Sequence, residues 1–125
     1  MNICRLALST CLSVFLATIA NAESEKVEIE NQWVRVLRVM QAPHDKSPMH
    51  EHPASVVVYL TDLHQKITGV DGKTRDLKKK ASEVAYFDAM KQSEENVLDK
   101  AIEAIIVELK PAHRRQSDGL SSWIR

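Results

Sequence analysis

Hydrophobic and polar positions alternate along most of the chain with a period of two. Val27-Glu28-Ile29 alternates, and Trp33 to Met40 continues the pattern with Val34 and Val36 opposite Arg35. Alternation with β-branched residues is the mark of a half-buried strand. Ser55 to Leu60 is apolar on both parities, which predicts a strand covered on both faces, as inside a sandwich or barrel. Asp71-Gly72 stands between Ile67–Val70 and Lys73–Leu77 and predicts a hairpin, because both residues tolerate the positive φ of a tight turn. Glu83–Phe87 and Ile102–Leu109 read as two further strands. Lys78-Lys79-Lys80 reads as a solvated edge or turn, where lysines discourage mispairing. Ala42–Pro48 carries two prolines, an Asp and a Ser and reads as a loop. The composition of residues 91–101 predicts a short helix. Pro111 ends the regular pattern, leaving a polar C-terminal tail over 111–125 in which Trp123 and Ile124 are apolar enough to dock back. Many short strands, little helix and no internal repeat predict one all-β domain over 23–110, a sandwich or barrel.

The N-terminal segment follows a different logic. Arg5 precedes a largely apolar run from Leu6 to Ala20, and Ala20-Asn21-Ala22 places small residues where a signal peptidase reads them. That is the layout of a cleavable signal peptide over residues 1–22. The run is interrupted by Ser9, Thr10, Ser13 and Thr18. It falls short of the roughly 20 apolar residues that span a bilayer. The expected product is exported, periplasmic or extracellular, with no stable membrane anchor. Both cysteines, Cys4 and Cys11, fall inside this segment, so the mature chain has no disulfide, thiolate nucleophile or cysteine ligand. The whole chain balances 17 basic against 17 acidic residues, and loss of Arg5 leaves 16 against 17, a formal charge of minus one. Nothing in that balance draws a polyanion, so nucleic acid is not an expected partner.

Candidate chemistry concentrates in Pro48-Met49-His50-Glu51-His52-Pro53. Residues two apart on a strand share a face, so His50 and His52 can present two imidazoles to one point while Glu51 points away. Imidazole suits Zn, Cu, Fe and Ni, although a solvated loop end would show the same pattern. The run PHDKSPMHEHPASVVVYL, followed by a DG hairpin, resembles the first motif of the cupin family, RmlC-like jelly-roll proteins, and is most similar to small single-domain cupins. The resemblance implies a small jelly-roll β-barrel.

It also implies a glycine six positions before the first histidine, here His44, and an acidic ligand at Val56 or Val57. In the second motif, SEVAYFDAMKQSEEN, the implied opening glycine is Ser82, the implied histidine falls on Gln92 or Ser93, and the implied asparagine is Asn96. The site so implied is His50, His52 and the Gln92 amide oxygen, with no compensating carboxylate and an ion of unspecified identity (Fe, Ni, Zn, Mn or Cu). Tyr86 and His44 are candidate pocket residues, His44 being equally readable as an exposed loop histidine.

Three functions fit these features. One is a metal-dependent enzyme, such as a dioxygenase or isomerase. The second is a non-catalytic ligand sensor, and the third a metal-free interaction module. A small-molecule ligand is the expected partner. Trp33 and the apolar strand at Val56–Leu60 would also support a homodimer.

Overall fold

The computed structural model describes residues 23–111. The expected signal peptide with its two cysteines, His113 and the tail from residue 112 lie outside the described residues. Within them the chain is all strand: β1 Ser24–Glu30, β2 Val34–Gln41, β3 His50–His52, β4 Ser55–Tyr59, β5 Leu63–Gly69, β6 Thr74–Lys79, β7 Val84–Phe87, β8 Met90–Asn96 and β9 Ile102–Leu109. They form a five-stranded sheet in the order β1-β2-β9-β4-β7 and a four-stranded sheet in the order β3-β8-β5-β6, with every pairing antiparallel. The expected all-β jelly-roll barrel is therefore what these residues build.

Strand parity decides what each sheet turns inward. Leu37, Val39, Val57, Tyr59, Leu63, Ile67 and Ile102 form the buried apolar core between the sheets. The hairpin at Asp71-Gly72 joins β5 to β6, with Gly72 at φ 75°. Lys78 and Lys79 lie on β6, an edge strand, where their charges oppose pairing with a foreign strand.

Two expectations are corrected. Residues 91–101 are not helical: β8 runs through Asn96 and pairs with β3 and β5. Its inward positions are Gln92, Glu94 and Asn96, so a polar barrel interior hides the hydrophobic alternation that marks other strands. β4 is covered on one face only. Ser55, Val57 and Tyr59 are buried while Val56 and Val58 are half-buried, because no further layer of described residues packs on the outer side of the larger sheet.

The two non-glycine residues with positive φ are His44 at 58° and Ser82 at 73°. These are the positions at which the resemblance implies glycine, so the backbone keeps a left-handed conformation that the side chain disfavours. A left-handed L-residue costs about 1–2 kcal/mol, and glycine gives back about 0.5–1 kcal/mol in unfolded-state entropy. The Ser82 N–H donates to Tyr59 O at 2.7 Å, a backbone bond that glycine retains. Ser82→Gly is therefore expected to stabilise the domain by up to about 1 kcal/mol. The measurement is a urea melt with a higher midpoint and unchanged slope; a lower midpoint would contradict it.

Candidate metal centre

β3 is short, and its register on β8 is what assembles the site. His50 stands opposite Gln92, and His52 opposite Met90. The next inward residue of β8 is Glu94, opposite Ile67 of β5. His50, His52 and Glu94 each offer a ligand atom, and these atoms lie within 4.8 Å of one another. The two imidazole centroids are 4.2 Å apart. His52 Nε2 is 2.8 Å from Glu94 Oε1, and His50 Nε2 is 3.7 Å from Glu94 Oε2.

Two of the three, His50 and Glu94, are held by further contacts. The His50 Nδ1–H donates to Pro48 O at 2.8 Å, which turns Nε2 toward Glu94. Ser47 Oγ donates to Glu94 Oε2 at 2.6 Å, and the Gln92 amide donates to Glu94 Oε1 at 2.9 Å. The bed beneath is polar and buried. Gln41 Nε2 donates to Glu94 O at 3.1 Å, and Gln65 Nε2 donates to Gln41 Oε1 at 2.9 Å.

The expected residues are thus partly regrouped. His50 and His52 converge, and Glu51 points away, facing Lys91 across the strand pair at 3.7 Å. The carboxylate that looked to be missing is present: Glu94 supplies it from β8, in place of the acid implied at Val56 or Val57. Of Gln92 and Ser93, only Gln92 shares the face of His50. Its amide oxygen is turned to Arg75 Nη2 at 3.4 Å, so as placed it orients Glu94 and stands beside the trio. Tyr86 is 58% exposed and donates to Asp88 Oδ1 at 3.1 Å. The parity of β7 gives the inward place to its neighbour Phe87. His44 stands in the loop before β3, exposed and bonded to Asp99 Oδ1 at 2.7 Å.

A cavity of about 90 Å³ opens beside the trio. Its wall is apolar at Leu63, Leu77, Phe87 and Ile102 and polar at Gln41, Gln65, Gln92 and Arg75. Glu23, the first residue after the expected cleavage point, also lines it. Burial pushes the Glu23 carboxyl up, and the nearby Glu94 charge adds to this.

The hydrogen bond to Glu94 raises the His52 imidazole above its usual range, against the opposing effect of burial. Burial alone would push Glu94 up, but hydrogen bonds from His52, Ser47 and Gln92 outweigh it and leave the carboxyl below its ordinary value. The raised His52 stabilises the fold below its unfolded pKa, and this is lost as pH rises through the folded one. The depressed Glu94 contributes above its unfolded pKa, and this is lost as pH falls through the folded one. The pair therefore supports the metal-free fold between those two folded-state pKa values.

The proton on His52 Nε2 occupies the nitrogen an ion needs, so metal and proton compete. Affinity for a divalent ion is expected to rise with pH until His52 has lost its proton, and uptake below that point is expected to release protons. Titration calorimetry in two buffers of different ionisation enthalpy reads this directly. Equal heats in both would show that no proton leaves.

No family model matches the chain, and no curated protein matches it in sequence. Its backbone does superpose on solved structures. A cupin domain from Bordetella pertussis Tohama I matches with a TM-score of 0.67 at 19% identity, over 71% of this chain and 94% of that one. An RmlC-like cupin family protein with a double-stranded β-helix fold, from Methanocaldococcus jannaschii, matches with a TM-score of 0.56 at 12% identity, over 74% and 84%. The fold is the cupin fold. The same barrel is found in the polyketide cyclase RemF of Streptomyces resistomycificus, with a TM-score of 0.53 at 13% identity, over 71% of this chain and 68% of that one. Identities this low speak for the cupin barrel alone, and function has to be argued from the site it carries.

Proposed function

We propose that this cupin holds a divalent transition metal on His50, His52 and Glu94 and binds a small organic molecule in the adjoining cavity. The observation that carries this is the convergence of two imidazoles and one carboxylate on one point at the cavity wall. Two His and one carboxylate suit Fe(II) or Zn(II), and three protein ligands leave coordination positions for water or a bound molecule.

A resident ion would supply Lewis acidity toward an oxygen of that molecule. The chain's own residues do the rest. Pro48 O fixes the His50 ring, Ser47 and Gln92 hold the Glu94 carboxylate, and Leu63, Leu77, Phe87 and Ile102 keep water from the inner wall. Within this reading a dioxygenase or isomerase uses the open positions for turnover, and a sensor uses them for ligand retention.

The deciding experiment is the metal content of the mature protein, prepared without a histidine-rich tag, beside a His50→Ala/His52→Ala double variant. Near-stoichiometric metal in the native chain, lost in the variant, is the expected result. No metal in either, after incubation with excess iron, nickel, zinc or copper, would leave a metal-free ligand-binding or interaction module.

Export is part of the proposal and rests on the signal pattern of residues 1–22. Secreted protein whose first residue is not Glu23 would remove that cleavage site. The proposed macromolecular partner is a second copy. The outer face of the larger sheet exposes Ile29, Val84 and Tyr86, with Trp33 beside it, and monomeric sedimentation would remove this partner.

A further inference from the structure

β6 borders the smaller sheet, and its register on β5 sets Arg75 opposite Ile67, which is itself opposite Glu94. Ile67 is an interior residue, so Arg75 has the inward parity of an edge strand, in one row with Glu94, and stands exposed at the rim of the cavity. Among the cavity-lining residues it is the one guanidinium or ammonium group. A guanidinium carries five N–H donors in a planar fork. The hydrogen bond found for this one is a long contact of 3.4 Å to the neutral amide oxygen of Gln92. Among the described residues no carboxylate pairs with it.

The acidic groups at the cavity are already engaged or disfavoured as anions. Glu94 is bonded by His52, Ser47 and Gln92, and Glu103 is paired with Arg38 at 2.7 Å. Burial holds the Glu23 carboxyl toward its neutral form. Arg75 is thus a cavity-lining cation without a carboxylate partner, and the wall beside it is hydrocarbon at Leu77, Phe87 and Ile102.

We propose that the cavity takes a short apolar monocarboxylate, its carboxylate on the Arg75 fork and its hydrocarbon chain against Leu77, Phe87 and Ile102. The fork geometry matches a carboxylate through two parallel hydrogen bonds, which a neutral amide or alcohol cannot return. The cavity volume of about 90 Å³ suits a chain of a few carbons. This rests on the cavity being the ligand site of the proposed function, and it does not require the metal to be bound.

Butyrate, hexanoate and butyramide are the probes, titrated by calorimetry or by NMR shift into mature protein in metal-free and zinc-loaded forms. Either acid is expected to bind both forms, with butyramide and Arg75→Gln each weakening binding by at least about tenfold, the loss typical of a charge-assisted hydrogen bond. Arg75→Lys should restore part of it. An Arg75→Gln variant with an unchanged melt that binds the acids as tightly as the native chain would overturn the proposal. So would native protein that binds neither acid in either form. Zinc uptake without acid binding would end this proposal and leave the metal reading standing. Acid binding lost with Arg75 in a chain that takes up no metal would do the reverse.

Discussion

Glu94→Gln is expected to weaken binding of a divalent transition ion by more than the about 10–100-fold that losing an outer-shell partner costs. Glu94 is the one anionic donor of the trio and is 8% exposed. Without it an ion would sit on two neutral imidazoles in a largely desolvated place, with its charge uncompensated. The substitution keeps shape and volume, and the Gln amide oxygen can still accept from Ser47 with its NH2 turned toward His52, so the barrel should fold. It also removes the bond that raises the His52 imidazole.

Two readouts separate these effects. Metal affinity should collapse, and the histidine titration followed by NMR should move His52 back toward an ordinary value. Gln92→Ala, which removes one donor to the carboxylate, should cost about tenfold by comparison. A Glu94→Gln protein that keeps the native metal affinity would show that the ion, if held, is not held here.

Asn96→Ala is expected to be the most destabilising single change of those considered, by about 2–4 kcal/mol. Asn96 is 0% exposed. Its Nδ2 donates to Ala42 O and Lys100 O, each at 2.9 Å, and more weakly to Gln41 O at 3.4 Å. Its Oδ1 accepts from the Leu98 N–H at 3.0 Å. One side chain therefore ties the end of β2 to the turn between β8 and β9. Truncation takes the amide from the part-buried Lys100 O and Leu98 N–H and from the buried Gln41 O, while Ala42 O keeps the Asp45 N–H. A group left unpaired where water cannot reach costs about 1–3 kcal/mol. A shift in the urea midpoint with unchanged slope measures the loss, and a loss below about 1 kcal/mol would mean that water replaces the amide. Asn96→Asp should do no better, since it exchanges two donors for a buried charge.

Much of this site was legible in outline. The His50/His52 parity follows from chain geometry alone, and Asn96 marked the end of the second motif. Glu94 lies two residues beyond Gln92, which puts both on one face of a strand and on different faces of a helix. The helical reading of residues 91–101 hid that coincidence, because a strand facing a polar interior shows no hydrophobic period. The outward turn of Tyr86 escaped notice for a related reason. With Ala85 and Phe87 apolar beside it, the local sequence does not say which parity faces the barrel.

Alternation, the Asp71-Gly72 turn and the lysine-rich edge determined by themselves that this chain forms short strands of a barrel, since side-chain direction and turn conformation are local properties. The two histidines on one face were determined in the same way. Which strands became neighbours was decided only by the closed sheets. The bond between His52 and Glu94 joins positions 42 residues apart, and it depends on β3 adding to β8 in one register. The same sheet brought Arg75 to the cavity through β5 and β6. Such contacts depend on hydrogen-bond ladders between distant segments, and no periodicity within a single segment encodes which ladder will form.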